Sequence, residues 1–371
     1  MKPLYLDNAA TTHISNEVLE EMKESIDNFG NTEAKYYCYS ENAKDDIKLA
    51  RERISAGLGC NFDEVVFTSG ATEANNLFIQ GMMLAHPNKK RIIISCIEHS
   101  SIRETACHFI EKGYEVIEIP VDKYGLIDTK FLDTVINENT LFVSIILVNN
   151  EIGTIQDLKI IDEICTKHKV KLHVDATQAI GKIEINMSLY NSLEYLTCTS
   201  HKIYGPKGIG TLIVRKKDGI KNDLKPITFG GEQEDGYRPG TLSNMLIVGF
   251  GKAFEIATSN IAKDNEKLLK LEKVFIDKMI KKFGDLMVIN NNHKYRVPGI
   301  LNIQFKGINN MILLKKLSPY IAASNGSACS ISKPSHVLKA IGLNNDEISN
   351  SIRFSFSKYT DIEELNIIDN L

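Results

Sequence analysis

The chain is constrained most by a rhythm of short, β-branched apolar runs separated by longer amphipathic stretches. The runs are Val65–Phe67, Arg91–Ser95, Val116–Ile119, Leu141–Val148, Lys171–Val174 and Thr211–Val214. Several are apolar on both faces, as strands buried in a mostly parallel sheet should be. Helical candidates such as Ala74–Leu84 and Leu158–His168 lie between them. That alternation predicts an α/β fold with parallel strands.

The texture changes after about residue 250. Leu268, Leu271, Val274, Phe275 and Met279 recur at helical spacing within Ile261–Phe283, and Gly284 is placed to stop that helix. Its lysines interleave with Asp264, Glu266, Glu272 and Asp277, so the face opposite the apolar stripe reads as solvated. With Gly299–Phe305 and Ser351–Ser357 as strands, the remainder predicts a smaller α+β domain. A length of 371 residues agrees with two domains at about 150 residues each. The division expected is 13–250 for a large domain, and 1–12 with 251–371 for a small one.

A formal charge of −3 argues against a general nucleic-acid binder. No apolar run approaches the roughly 20 residues that span a bilayer, and the start lacks an apolar signal core, so a cytoplasmic protein without membrane contact is expected. Seven scattered cysteines then read as reduced thiols, mostly core filler.

Polar, Gly-containing clusters end the strands, where open α/β sheets hold their ligands. Thr68-Ser-Gly-Ala-Thr-Glu-Ala-Asn-Asn76 is a strand, a turn and a helix start that suits a phosphate, or else a helix capped by Ser69 or Thr72. Asp175 ends Lys171–Val174 and reads as a turn residue, a metal ligand or the partner of a protonated ring nitrogen. Lys202 follows in Thr199-Ser-His-Lys202-Ile-Tyr-Gly-Pro-Lys-Gly208 and could form an imine. Phosphate cradle, acid and lysine together are the set that pyridoxal 5'-phosphate (PLP) needs. Cys96/His99 and Cys198/His201 have the spacing of zinc pairs, but strand alternation would send each Cys into the sheet and each His to the ligand edge, so no metal is assigned.

The sequence resembles a cysteine desulfurase of the NifS/IscS type, in the class V aminotransferase group of fold-type I PLP enzymes. The resemblance rests on Tyr5-Leu-Asp-Asn-Ala-Ala-Thr-Thr12, Phe67–Asn76, Glu98-His-Ser-Ser101, Val148-Asn-Asn-Glu-Ile-Gly153, His173-Val-Asp-Ala-Thr-Gln178, His201–Gly208, Gly231-Glu-Gln-Glu234 with Arg238-Pro-Gly-Thr241, Gly326-Ser-Ala-Cys329 and Ser351-Ile-Arg-Phe-Ser355, in family order. It implies a seven-stranded, mostly parallel sheet flanked by helices, and a homodimer. Lys202 would carry PLP, Asp175 would pair with its pyridinium nitrogen, and His99 would stack on its ring and move protons. Asn150 and Gln178 would contact ring substituents. Ala71, Thr72, Thr199 and His201 would bind the phosphate, with Thr241 reaching it from the neighbouring subunit. Arg353, with Asn150, would clamp the carboxylate of L-cysteine. Cys329 would take the sulfur as a persulfide and pass it to an acceptor protein, leaving alanine.

The chain departs from the family in three places. Four residues separate Cys329 from Pro334, about two fewer than expected of housekeeping members, and little sequence follows Arg353 where a longer docking tail is expected. Delivery to an iron–sulfur scaffold is the family expectation, and the short spacing brings forward a dedicated acceptor such as a tRNA-thiolation protein. The segment Asn31–Cys38 lacks the usual family wording and receives no role. Competing readings are a selenocysteine lyase or another β-eliminating PLP enzyme, and a catalytically silent scaffold on the same fold.

Overall fold

The computed structural model describes residues 3–34, 37–217, 219–291, 294–326 and 334–371. In chain order the large sheet and its helices comprise α1 (Asn16–Glu24), α2 (Cys38–Leu58), β2 (Val65–Thr68), α3 (Ala71–Ala85), β3 (Arg91–Ser95), α4 (Ser100–His108), β4 (Glu115–Ile119), α5 (Thr129–Val135), β5 (Thr140–Ile146), α6 (Leu158–Lys167), β6 (Lys171–Asp175), β7 (Leu193–Thr199), β8 (Gly210–Val214) and α7 (Asn244–Ser259). The strand β1 (Leu4–Tyr5) precedes them. After them come α8 (Ile261–Phe283), β9 (Met287–Ile289), β10 (Ile300–Phe305), α9 (Asn310–Leu317), β11 (Ile321–Ala322), α10 (His336–Ala340), α11 (Asn345–Ser349) and β12 (Ser351–Ser355).

Seven strands form the large sheet in the order β2-β8-β7-β6-β5-β3-β4, with β8 antiparallel to both its neighbours and the others parallel. Alternate side chains feed two cores. Phe67, Ile93, Val143, Val174 and Leu196 face one, and Val66, Ile92, Phe142, Tyr195 and Leu212 face the other. Burial on both faces is why these strands read as continuous apolar runs.

β7 interrupts the expected pattern. It is a fully buried strand of seven residues, yet Glu194, Thr197 and Thr199 break its apolar run. Glu194 is accommodated by Lys171 and Lys217, at 3.3 and 2.6 Å. Long-range pairing outweighs weak local propensity here.

The second unit is a β12-β10-β9 antiparallel sheet covered by α8. On α8, Leu268, Leu271, Phe275 and Met279 are buried as expected. Glu272 is not on the solvated face. It is buried, donates nothing, and accepts from Arg296 at 2.9 and 2.8 Å and from the Gly299 N–H at 2.6 Å. An ion pair hides this acid from a reading based on charge pattern alone. The N-terminal β1 pairs in parallel with β11, and Asp7 bridges to Ser355, so the first residues of the chain join the last strand. No helix among the described residues is long and apolar enough to cross a membrane.

Candidate active site

The carboxyl ends of β5, β6 and β7 and the start of α3 open onto a cavity of about 1000 Å³ that Gly326, Pro334, His336 and Arg353 also line. Ala71, Thr72, His99, Asn150, Asp175, Gln178, Thr199, His201, Lys202 and Arg353 all line it. Thr241 is exposed, just ahead of α7, and is not among the lining residues. Cys329 lies outside the described residues, between Gly326 and Pro334, both of which line the cavity.

α3 begins without a side-chain cap. Its N-cap is Gly70, at φ +154°, and neither Ser69 nor Thr72 closes the first turn. Glu73 turns aside to accept from the Ser69 N–H at 2.7 Å and from Arg238 at 2.8 Å. The helix therefore presents its positive end to the cavity. A Cβ at Gly210 would lie 2.7 Å from Gly70 Cα, so the close approach of this turn to β8 requires glycine there.

Asp175 sits at the end of β6, 2 % exposed, with Oδ1 accepting from the Thr177 N–H at 2.9 Å and Oδ2 from Asn75 Nδ2 at 3.0 Å. Both carboxylate oxygens are thus held in place by donors from the fold. Lys202 is in the short 3-10 turn Ser200–Lys202 that follows β7, and its Nζ donates to the carbonyls of Ala9 and Ala10 at 2.6 Å each. The same Ala9 carbonyl accepts from Gln178 Nε2 at 2.8 Å. Thr199 Oγ1 donates to the Ile209 carbonyl at 3.1 Å, and His201 Nδ1 lies 3.1 Å from Thr11 Oγ1. Burial, helped by Lys202 and Lys207, pulls the His201 imidazole down to about 4, and burial also lowers that of His99.

Arg353 is almost wholly buried in β12. Its Nη2 donates to Asp7 Oδ1 at 2.7 Å and its Nη1 to the Asn150 carbonyl at 3.0 Å, so Asn150 meets the guanidinium through its backbone. Two buried acids that the sequence reading left unassigned share the cavity wall. Glu98 accepts from Ser95 Oγ and the Ile146 N–H, and Glu151 accepts from Ser335 Oγ, at 2.7, 2.6 and 2.6 Å. Burial raises the carboxyl of Glu98 to about 8 and raises that of Glu151 as well. Both lie inside segments that carry the family resemblance, Glu98–Ser101 and Val148–Gly153, where motif order marks a position and not a role.

Cys96 lies just beyond β3 and is half-buried, while His99 caps α4 and lines the cavity. Cys198 is buried in β7, whereas His201 lines the cavity. Burial pushes the thiols of Cys60 and Cys165 up to about 12, that of Cys198 well above its ordinary value, and those of Cys96 and Cys107 upward too. Cys38, expected as filler, is exposed at the start of α2.

The Aminotransferase class-V family matches residues 4–368. The cysteine desulfurase IscS of Histophilus somni (strain 129Pt) is 40% identical over 371 residues, covering 98% of this chain and 90% of that protein. This chain belongs to the cysteine desulfurases. The mitochondrial cysteine desulfurase of Arabidopsis thaliana is 38% identical, over 98% of the chain and 80% of its own length. Among solved structures, a NifS-like protein superposes with a TM-score of 0.91 at 31% identity, covering 99% of this desulfurase and 98% of that chain. The structure described as SspA in complex with cysteine gives 0.84 at 35% identity, covering 96% and 100%.

Cysteine desulfurases are PLP-dependent enzymes, and this cavity fits that cofactor. The uncapped start of α3 suits a phosphate, the doubly bonded Asp175 suits a protonated ring nitrogen, and Lys202 stands in the same cavity. Thr177 Oγ1, in the cavity wall, is buried without a partner, an orphaned hydroxyl that a bound polar group can satisfy.

Proposed function

We propose that this desulfurase converts L-cysteine to L-alanine and moves the sulfur onto Cys329 as a persulfide, for delivery to an acceptor protein. The single observation that carries this reading is the convergence of Asp175, Lys202, His99 and Arg353 on one cavity beside both flanks of the Cys329 segment.

PLP, when bound, supplies the electron sink for a carbanion at the substrate Cα. Ala71, Thr72, Thr199 and His201 hold its phosphate, Thr241 reaches it from a second subunit, and Asn150 and Gln178 meet ring substituents. Asp175, fixed by Asn75 and the Thr177 N–H, would pair with the ring nitrogen. Arg353 takes the substrate carboxylate, a role its unpartnered Nε supports. Lys202 carries the cofactor and takes the α-proton through Nζ. Cys329, as thiolate, attacks the substrate sulfur. The C–S bond breaks with its electron pair passing to Cβ, which is then protonated, and Lys202 returns a proton to Cα to give alanine. Five of the six described thiols are pushed upward by burial and the sixth, Cys38, is exposed on α2 and absent from the cavity wall, which supports Cys329 as the nucleophile.

The units that cooperate are 13–250 and 1–12 with 251–371. The four-residue spacing from Cys329 to Pro334 favours a dedicated acceptor, such as a tRNA-thiolation protein, over an iron–sulfur scaffold. The enzyme works in the cytoplasm as a homodimer. Unpaired described cysteines support a reducing compartment.

Alanine and sulfide production from L-cysteine, with L-selenocysteine as competitor, tests the reaction. Cys329→Ala is expected to keep the visible cofactor absorption and lose the protein persulfide, whereas Lys202→Ala loses the absorption of bound cofactor. Full sulfur transfer by Cys329→Ala overturns its assignment.

A further inference from the structure

We propose that Asn75 and Ser101 form a buried relay from Asp175 to His99 that fixes the His99 imidazole as the neutral ring with its proton on Nε2. The proposal builds on the reading of His99 as the residue over the cofactor, and names what sets its protonation.

The chain of bonds is continuous. Asn75 Nδ2 donates to Asp175 Oδ2 at 3.0 Å and to Ser101 Oγ at 2.9 Å, which uses both amide hydrogens. The Ser101 hydroxyl keeps its own hydrogen to give, and His99 Nδ1 lies 2.9 Å away. The Ser101 backbone N–H points at the same Nδ1, at 3.2 Å, because His99 is the N-cap of α4. One ring nitrogen thus receives two donors. A proton on Nδ1 would set N–H against N–H, so the ring's proton stays on Nε2.

The direction of the relay is set by Asp175. With its amide turned over, Asn75 would aim a carbonyl at a carboxylate, acceptor against acceptor. The observed orientation leaves Asn75 Oδ1 buried without a partner, so the fold keeps the relay at the cost of one unsatisfied oxygen. Asn75 is fully buried and Ser101 nearly so, which keeps solvent from replacing either donor.

Among the described residues, the charged groups that act on His99 come from three elements. Burial lowers its imidazole first. Asp175 from β6 opposes this, and Lys202 after β7 and His336 at the start of α10 reinforce it. His336 Nε2 is itself tied to the Glu98 carbonyl, at 3.0 Å. His99 is therefore held as an uncharged plate that exchanges a proton through Nε2 alone, while Asn75 and Ser101 act as positioning residues.

The test uses the full-length chain with ¹⁵N-labelled histidine, with and without PLP, and His99→Gln to assign its ring signals. At pH 7.5 the wild-type His99 ring is expected to show a bare Nδ1 and a protonated Nε2. Ser101→Ala and Asn75→Asp are expected to weaken the hold on Nδ1, to which the residue 101 backbone N–H still points, so that part of the population takes the other tautomer and the acid limb of the kcat profile moves to higher pH. kcat should fall between about tenfold and a hundredfold, the range seen when the partner orienting a metal-bound imidazole is removed. A wild-type ring carrying its proton on Nδ1, or charged at pH 7.5, overturns the relay. So do variants that fold and leave both ring shifts and pH profile unchanged. The wild-type ring shifts decide the matter even if both variants fail to fold. A wild-type protein that makes no alanine overturns the desulfurase reading instead, and leaves the ring measurement to decide the relay.

Discussion

Lys182 stands one side chain away from Lys202. Its Nζ donates to Gln178 Oε1 at 3.2 Å, and Gln178 donates to the Ala9 carbonyl that also accepts from Lys202 Nζ. Burial, followed by the charge of Lys202, pulls the Lys182 ammonium down to about 7.

That depression has a definite pH signature. An unfolded lysine titrates near about 10.4, so between about 7 and 10.4 the unfolded chain holds the extra proton and stability rises with pH. The penalty of a charged, enclosed Lys182 is full below that window. Lys182→Met is expected to raise Tm most at pH 6 and least at pH 10. Calorimetry showing a gain independent of pH would mean that Lys182 titrates as an ordinary lysine.

Glu98 gives the opposite slope. Its carboxyl, raised to about 8 by burial, stays protonated in the fold while an unfolded glutamate ionises near about 4.3. The folded chain holds the extra proton across that window, so stability falls as pH rises through it. Glu98→Gln should match wild type at pH 4 and exceed it increasingly up to pH 9. Equal differences in Tm at pH 5 and 9 would refute the neutral acid.

Asp7 and Arg353 join the two ends of the fold at 2.7 Å, with Arg353 only 2 % exposed in its side chain. Removing the carboxylate strands a buried cation, so Asp7→Ala is expected to cost about 3 kcal/mol in urea unfolding. It should also raise KM for L-cysteine more than it lowers kcat, because the guanidinium loses its orientation. An unchanged KM would separate Asp7 from substrate binding.

Dimerisation has its own check. Phe29, 75 % exposed, touches Tyr39 with ring centroids 5.3 Å apart, and Phe229 is 86 % exposed. Such apolar surface suits burial against a second copy. Sedimentation is expected to give a dimer, and Thr241→Ala to weaken PLP affinity without dissociating it. An active monomer would remove Thr241 from the site.

The large sheet was legible because burial on both faces writes itself as uninterrupted apolar runs, and Arg91–Ser95 matches its strand residue for residue. β7 escaped because Glu194 is neutralised by lysines far away in sequence. Glu272 misled for the same reason, since its partner Arg296 lies beyond the helix that carries it. Of the site, Asp175, Lys202, His99 and Arg353 stood out through motif order. Asn75 and Ser101 did not, because a polar residue in the first turns of a helix looks the same whether it meets water or another buried donor. Asp7, in a two-residue strand's tail, had no periodicity to mark it.

The union of β1 with β11, and of Asp7 with Arg353 346 positions later, has a consequence for synthesis. A nascent chain can complete the seven-stranded sheet while its arginine is still inside the ribosome. Until residue 353 emerges and meets residue 7, the cavity has no Arg353 in its wall. The Asp7–Arg353 pair thus waits on residues translated well after the last strand of the large sheet.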